Sequence, residues 1–168
     1  KLIKDKLTEK NWSSEASIFQ PPEYAHPWRL DFAKGPFSVE VAFNHGEATA
    51  WNLMKPVIAS EINHVKTALT TEIGIIILAT QELKDNGGFD GTVKTFDTID
   101  NFLLPLMSYL TVPILIIGLK SPDSFKVIPK QHPERNTKSL IGLIKHNDSD
   151  SYEILPEEEE LWSDTNLD

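Results

Sequence analysis

The sequence predicts an α/β protein built on one mixed sheet flanked by helices on both faces. Three observations lead there. Period-two alternation over residues 28–43 reads as a β-hairpin, β-branched runs at residues 73–79 and 112–118 read as buried central strands, and helical spacing fills the intervals between them.

Taken in order, residues 1–10 have the pattern of an amphipathic helix that stops near Asn11-Trp12, followed by a loop. Prolines 21, 22 and 27 forbid a helix in the next stretch and deliver the chain in extended form. Trp28, Leu30 and Phe32 alternate with Arg29 and Asp31. Lys34-Gly35-Pro36 is a three-residue turn, after which Phe37, Val39, Val41 and Phe43 face one way and Ser38, Glu40, Ala42 and Asn44 the other. Trp51, Met54, Ile58, Ile62, Val65 and Leu69 then recur at helical spacing, with Pro56 expected as a kink or an early-turn residue. Asp85-Asn86-Gly87-Gly88 marks a loop, and Val93, Phe96, Ile99, Phe102, Leu103 and Leu106 suggest a second helix. Beyond Lys120 the signal weakens through Pro122, Pro129 and Pro133, and residues 139–145 read as one more strand or a short helix.

At 168 residues and 40% hydrophobic composition the chain is large enough for one soluble domain with its own core. The domain expected is residues 1–147, with its core over about 1–120, and residues 148–168 form an acidic, flexible tail. The absence of cysteine excludes a disulfide framework, a thiolate zinc site and a catalytic thiol. Apolar runs stay far below the roughly 20 residues a membrane-spanning helix needs, and neither a span nor a secretory signal is visible, so a cytoplasmic location is expected. The first residue is Lys1, already inside a helical pattern, which suggests a fragment of a longer chain.

The net charge of −9 is concentrated at one end. Residues 148–168 carry nine carboxylates and no Lys or Arg, leaving sixteen acidic and sixteen basic side chains in the body. A neutral body with local lysines can meet phosphates, whereas a uniformly acidic surface repels them.

Asp31 and Glu40 are the informative pair. Each lies on the polar face of its strand, and the tight turn between the strands brings them close. Adjacent carboxylates repel unless neutralised, and Mg²⁺ is characteristically held by one or two carboxylates with its other positions left to water and phosphate. On spacing alone, two solubilising acids on an edge hairpin would leave the same Asp-x8-Glu pattern.

The stretch Leu30-Asp31-Phe-Ala-Lys34-Gly35-Pro-Phe-Ser-Val39-Glu40-Val-Ala42-Phe43-Asn44 resembles the active-site hairpin of the PD-(D/E)xK nucleases, most closely the BglII/BstYI-type restriction endonucleases. The opening Ile3-Lys-Asp-Lys-Leu7-Thr-Glu-Lys-Asn-Trp12 is similar to the helix before that hairpin, and Trp51-Asn-Leu-Met-Lys55-Pro to the helix after it. Glu72 to Ala79 with Gln81-Glu-Leu83, and then Val112 to Gly118, resemble its later core strands, in matching order over about 120 residues.

That resemblance implies a type II restriction endonuclease, a Mg²⁺-dependent, site-specific deoxyribonuclease acting on double-stranded DNA as a homodimer. It implies Asp31 and Glu40 as metal ligands, joined by the backbone carbonyl of Val41. It also places Lys, Gln or Glu two residues beyond the second acid to orient the attacking water, where this sequence has Ala42. Three explanations compete: metal and phosphate suffice, a neighbour such as Asn44 or His45 substitutes, or turnover is impaired. Strand alternation puts Asn44 on the face of Glu40 and makes it the better-placed catalytic substitute. Lys34, His45, Lys55 and Arg29 are the candidate DNA contacts. Ala42 and the acidic tail also motivate an alternative, a catalytically weakened nuclease-fold module that binds DNA or regulates.

Overall fold

The computed structural model describes residues 2–19, 28–61, 70–87, 89–123, 125–131, 140–146 and 152–154, the last three segments by backbone alone. They form two compact units, residues 1–81 with 91–119 and residues 82–90 with 120–168.

The first unit holds a five-stranded sheet in the order β1-β2-β3-β4-β5. Its strands are β1 (Ser13–Ser17), β2 (Arg29–Lys34), β3 (Phe37–Val41), β4 (Ile73–Ala79) and β5 (Ile114–Leu119). β1, β2 and β3 pair antiparallel, and β3, β4 and β5 pair parallel, so the sheet is mixed. Helix α1 (Leu2–Glu9) precedes β1 and ends with Asn11 at φ 61°, the amides of Asn11 and Trp12 returning to the carbonyls of Thr8 and Leu7. Helix α2 (Ala48–Glu61) follows β3, helix α3 (Gln81–Gly87) follows β4 and belongs beyond Gln81 to the second unit, and a 3₁₀ turn (Phe96–Thr98) leads into helix α4 (Asp100–Leu106) before β5.

One core forms where α2 and α4 cover β4: Ala42, Leu53, Ile76, Leu78 and Ile99 are buried together, with Phe102, Leu103 and Leu106 packed against them. A second joins Ile18, Leu30, Ala33 and Ala59, with Trp28 and Ile58 beside them. Trp28 also meets Trp51, ring centroids 4.5 Å apart. Helix α2 lies close on the sheet at Gly74, where an added Cβ would stand 2.8 Å from the ring of Pro56.

Several elements differ from the sequence reading. Residues 13–17, expected as loop, are the edge strand β1. Of the two places expected for Pro56, the structure has the helix interior and not the first turn of α2, at the point of contact with β4. The buried side of α2 is Thr49, Asn52, Leu53, Pro56, Val57 and Ala59, while Trp51 is 44% exposed, so the helix is rotated from the phase its large apolar residues suggested. Residues 62–69, the expected end of that helix, lie outside the described residues. The loop expected at 85–88 is preceded by, and partly belongs to, α3. The second helix starts at Asp100, not near Val93, and β5 is the last strand of the sheet order, with Leu115 53% exposed, where a covered central strand was expected.

In the second unit β6 (Phe125–Gln131), β7 (Leu140–His146) and β8 (Tyr152–Ile154) form an antiparallel sheet in that order. Pro129 is tolerated because β6 is an edge. β8 falls within the stretch read as an acidic tail, and residues 155–168 lie outside the described residues.

Candidate active site on the β2–β3 hairpin

The register of β2 and β3 pairs Phe32 with Val39, Ala33 with Ser38 and Lys34 with Phe37, which leaves a two-residue loop, Gly35-Pro36, instead of the expected three. Gly35 adopts φ 55°, a left-handed conformation that glycine takes without a Cβ penalty and that suits the first position of such a loop. Continued by one step, this register sets Asp31 against Glu40.

There the ladder gives way to side chains. The Asp31 amide donates to Glu40 Oε1 at 3.3 Å, and the Val41 amide donates to Asp31 Oδ2 at 2.7 Å. Each acid accepts a backbone N–H from the opposite strand, so both carboxylates are fixed on the same open end of the hairpin. The pairing between strands is preserved in another form, and these two amides keep acceptors.

Glu40 is 1% exposed, although its position on the alternating face had suggested solvent. β3 has neighbours on both sides in the sheet, and α2 roofs its Ser38/Glu40/Ala42 face. Burial, and then the charge of Asp31, push the Glu40 carboxyl up to about 7, against the lowering effect of Lys55. Lys55 donates from α2 to Glu40 Oε2 at 2.7 Å, with its side chain 17% exposed.

The donor set decides which cation the pair suits. The pair offers carboxylate oxygens only, and among the described residues no third His, Cys, Asp or Glu side chain clusters with it. A hard divalent cation of the Mg²⁺ type needs only one or two carboxylates, and two are held here at hydrogen-bonding proximity to each other's strand. Asp31 and Glu40 fit it, and Val41 is the adjoining carbonyl.

The other sequence candidates are placed as follows. Arg29 is exposed at the start of β2. Lys34 is exposed and donates to the Lys10 carbonyl at 2.7 Å, tying the hairpin to the end of α1. His45 is exposed, with Nδ1 2.6 Å from Thr92 Oγ1. Asn44 lies in a bend beyond the end of β3, so strand alternation does not carry to it, and its Oδ1 accepts from Asn52 Nδ2 at 3.4 Å. Ala42 is 3% exposed in the core with Leu53 and Ile76. The structure therefore brings Asp31, Glu40, Val41 and Lys55 together.

Lys55 beside Glu40 is the relationship sequence reasoning missed. A lysine at the rim of an amphipathic helix reads as solvated, and only the rotation of α2 reveals it over β3. The signal available was the buried run Asn52-Leu53 with Pro56-Val57, which turns Lys55 inward at the edge.

The mixed sheet and its helices match a solved structure of the restriction-endonuclease class of α/β folds. It is restriction endonuclease BglII complexed with a DNA 16-mer, at TM-score 0.56 and 20% identity over 91% of this chain and 73% of that one. The family model described as Restriction endonuclease BglII/BglIII matches residues 1–119, and the chain belongs to that family. No curated protein matches it.

Proposed function

We propose that the protein is a type II restriction endonuclease that hydrolyses a phosphodiester of double-stranded DNA with Mg²⁺ held at Asp31, Glu40 and the Val41 carbonyl. The carrying observation is the crossed pair of contacts that fixes both acids on one end of the hairpin, in a chain of a restriction-endonuclease family. When bound, Mg²⁺ supplies Lewis-acid activation of phosphate and water. The two carboxylates hold and orient it, their charges balanced by the cation. The backbone amides of Asp31 and Val41 fix the carboxylates in turn, and the Lys55 ammonium on Glu40 Oε2 has to share that oxygen with the cation. Exposed Arg29, Lys34 and His45 are the proposed contacts to the DNA backbone, which position the duplex without reading its sequence.

A homodimer suits two-fold symmetric DNA sites, since a symmetric pair of subunits presents two identical centres to two strands. The cytoplasmic location belongs to the same proposal. Supercoiled plasmid incubated with the protein should be nicked or linearised with Mg²⁺ and untouched in EDTA, and Asp31→Asn should remove the cleavage. Equal cleavage by wild type and Asp31→Asn would remove the pair from the reaction.

Ala42, which offers no polar group and is buried in the core, favours one alternative: a weakened nuclease-fold module that binds DNA or a partner without turnover. It predicts DNA retention with no cleavage in either Mg²⁺ or Mn²⁺.

A further inference from the structure

The position two residues beyond the second acid offers nothing to orient a water: Ala42 is a core methyl packed with Leu53, Ile76 and Leu78. The two substitutes suggested by chain proximity face other partners, Asn44 accepting from Asn52 and His45 meeting Thr92. We propose that Lys55 is the catalytic residue that orients the attacking water and the scissile phosphate, delivered to Glu40 from helix α2 and not from strand β3. This rests on the nuclease reading of Asp31 and Glu40.

Three features carry it. First, the Lys55 ammonium is already at the site, 2.7 Å from Glu40 Oε2, and among the described residues it is the cation bonded to either acid. An ammonium has three donors and no acceptor, so one can stay on a carboxylate while the others reach a water and a phosphate oxygen. Second, its carrier is rigid. Leu53 is fully buried, and Pro56, the next residue along, rests on Gly74 with no room for a Cβ between them. A side chain mounted on a packed helix holds its place better than one in the bend after β3. Third, the arrangement is a poor stability device. Glu40 is 1% exposed and paired to Lys55 at 2.7 Å, and replacing such a buried ion pair by apolar side chains is often neutral or stabilising. Stability alone therefore does not account for the pair.

In the step assigned to it, the water oxygen bonds to phosphorus as the bond from phosphorus to one ester oxygen breaks. The electron pair of that bond stays on the leaving oxygen, which takes a proton from solvent, and the proton lost by the attacking water passes to solvent. Lys55 keeps its own protons throughout, holding the water in line and balancing phosphate charge.

The test is Lys55→Met, which preserves length without charge, and Lys55→Arg, examined for single-turnover cleavage at saturating DNA, for DNA binding in Ca²⁺, and for Tb³⁺ binding by sensitised luminescence. Cleavage by Lys55→Met should fall about a hundredfold, Lys55→Arg should recover part of it, and DNA binding, which loses one phosphate-facing cation, should fall by about tenfold at most. Tb³⁺ should bind the Met variant as tightly as wild type or more so, because the ammonium competes for Glu40. Wild-type cleavage by Lys55→Met would overturn the assignment, as would joint loss of Tb³⁺ binding and cleavage, which marks a structural role. Should Lys55→Met fail to fold, Lys55→Gln is read in its place: slow cleavage with normal Tb³⁺ binding supports the role, and wild-type rate overturns it. A wild-type protein that binds Tb³⁺ but cuts no DNA would instead sink the nuclease reading, and this inference with it.

Discussion

The backbone amide of Asp31 donates to the Glu40 carboxylate at 3.3 Å, and Asp31 returns the contact by accepting the amide of the residue after Glu40. Charge and hydrogen bonding at Asp31 are therefore separable. Asp31→Asn keeps a carbonyl oxygen for the Val41 amide and removes the charge, so it should stay folded while cation affinity and cleavage fall, the latter by about a hundredfold or more. Asp31→Ala should additionally destabilise the protein by about 1–3 kcal/mol, because the Val41 amide loses its acceptor. Chemical denaturation beside a cation titration distinguishes the two. Equal stability of both variants would show that the Asp31 contact does not hold the hairpin end.

The raised Glu40 carboxyl makes metal-free stability depend on pH in an unusual direction. Its value of about 7 in the fold against 4.5 unperturbed means that the folded protein keeps a proton the unfolded chain has already released between those limits. Stability without metal should be greatest below that window and decline as pH rises through it, by something on the order of 3 kcal/mol in all. Glu40→Gln should flatten this contribution, and Asp31→Asn should narrow the window by removing one of the charges that raise the carboxyl. Divalent-cation affinity should move oppositely, strengthening with pH up to about 7 as Glu40 ionises. Thermal melts in EDTA from pH 5 to 8 check the first part, and a decline of unchanged size in Glu40→Gln would contradict it.

Supplying a polar group at position 42 should not restore a missing role. The Ala42 side chain lies with Leu53, Ile76, Leu78 and Ile99, so Ala42→Lys places an unpaired charge in the core. A loss of about 3 kcal/mol or more is expected, read as a shifted denaturation midpoint, with no gain in cleavage. A stable, faster Ala42→Lys would show that this position reaches the site after all.

What the sequence disclosed, and what it hid, follows from which strands have one wet face. Residues 28–41 alternate cleanly, and the hairpin with its two acids was legible from that period and from Gly35-Pro36. The burial of Glu40 was not, because alternation marks a polar side without saying whether a helix roofs it. Helix α2 does so by burying Thr49, Asn52 and Pro56 along with Leu53 and Val57, while Trp51, which periodicity had favoured, is exposed. β1 escaped notice because Ser13-Ser-Glu-Ala-Ser17 has no apolar alternation to announce an edge strand. The order of elements over residues 1–119 carried the family likeness even where single boundaries moved.

The seat of α2 on the sheet gives a further prediction. A side chain at Gly74 would meet Pro56 at 2.8 Å, whereas one at Gly35 would meet nothing within 4 Å. Gly74→Val should cost about 1–3 kcal/mol through overpacking and should slow cleavage by displacing the helix that carries Lys55. Gly35→Ala should cost about 1 kcal/mol, from its left-handed backbone alone. Denaturation midpoints and cleavage rates of the pair, measured together, test this; a Gly74→Val enzyme of wild-type rate would detach the helix position from catalysis.

Anomalous scattering from crystals soaked in Mn²⁺ examines the joint grip of the two acids most directly. A peak within about 2.5 Å of an oxygen of Asp31 and an oxygen of Glu40, absent in Asp31→Asn crystals, is the expected result. A manganese ion bound elsewhere, or no peak between those carboxylates while the protein still cleaves DNA, would contradict it.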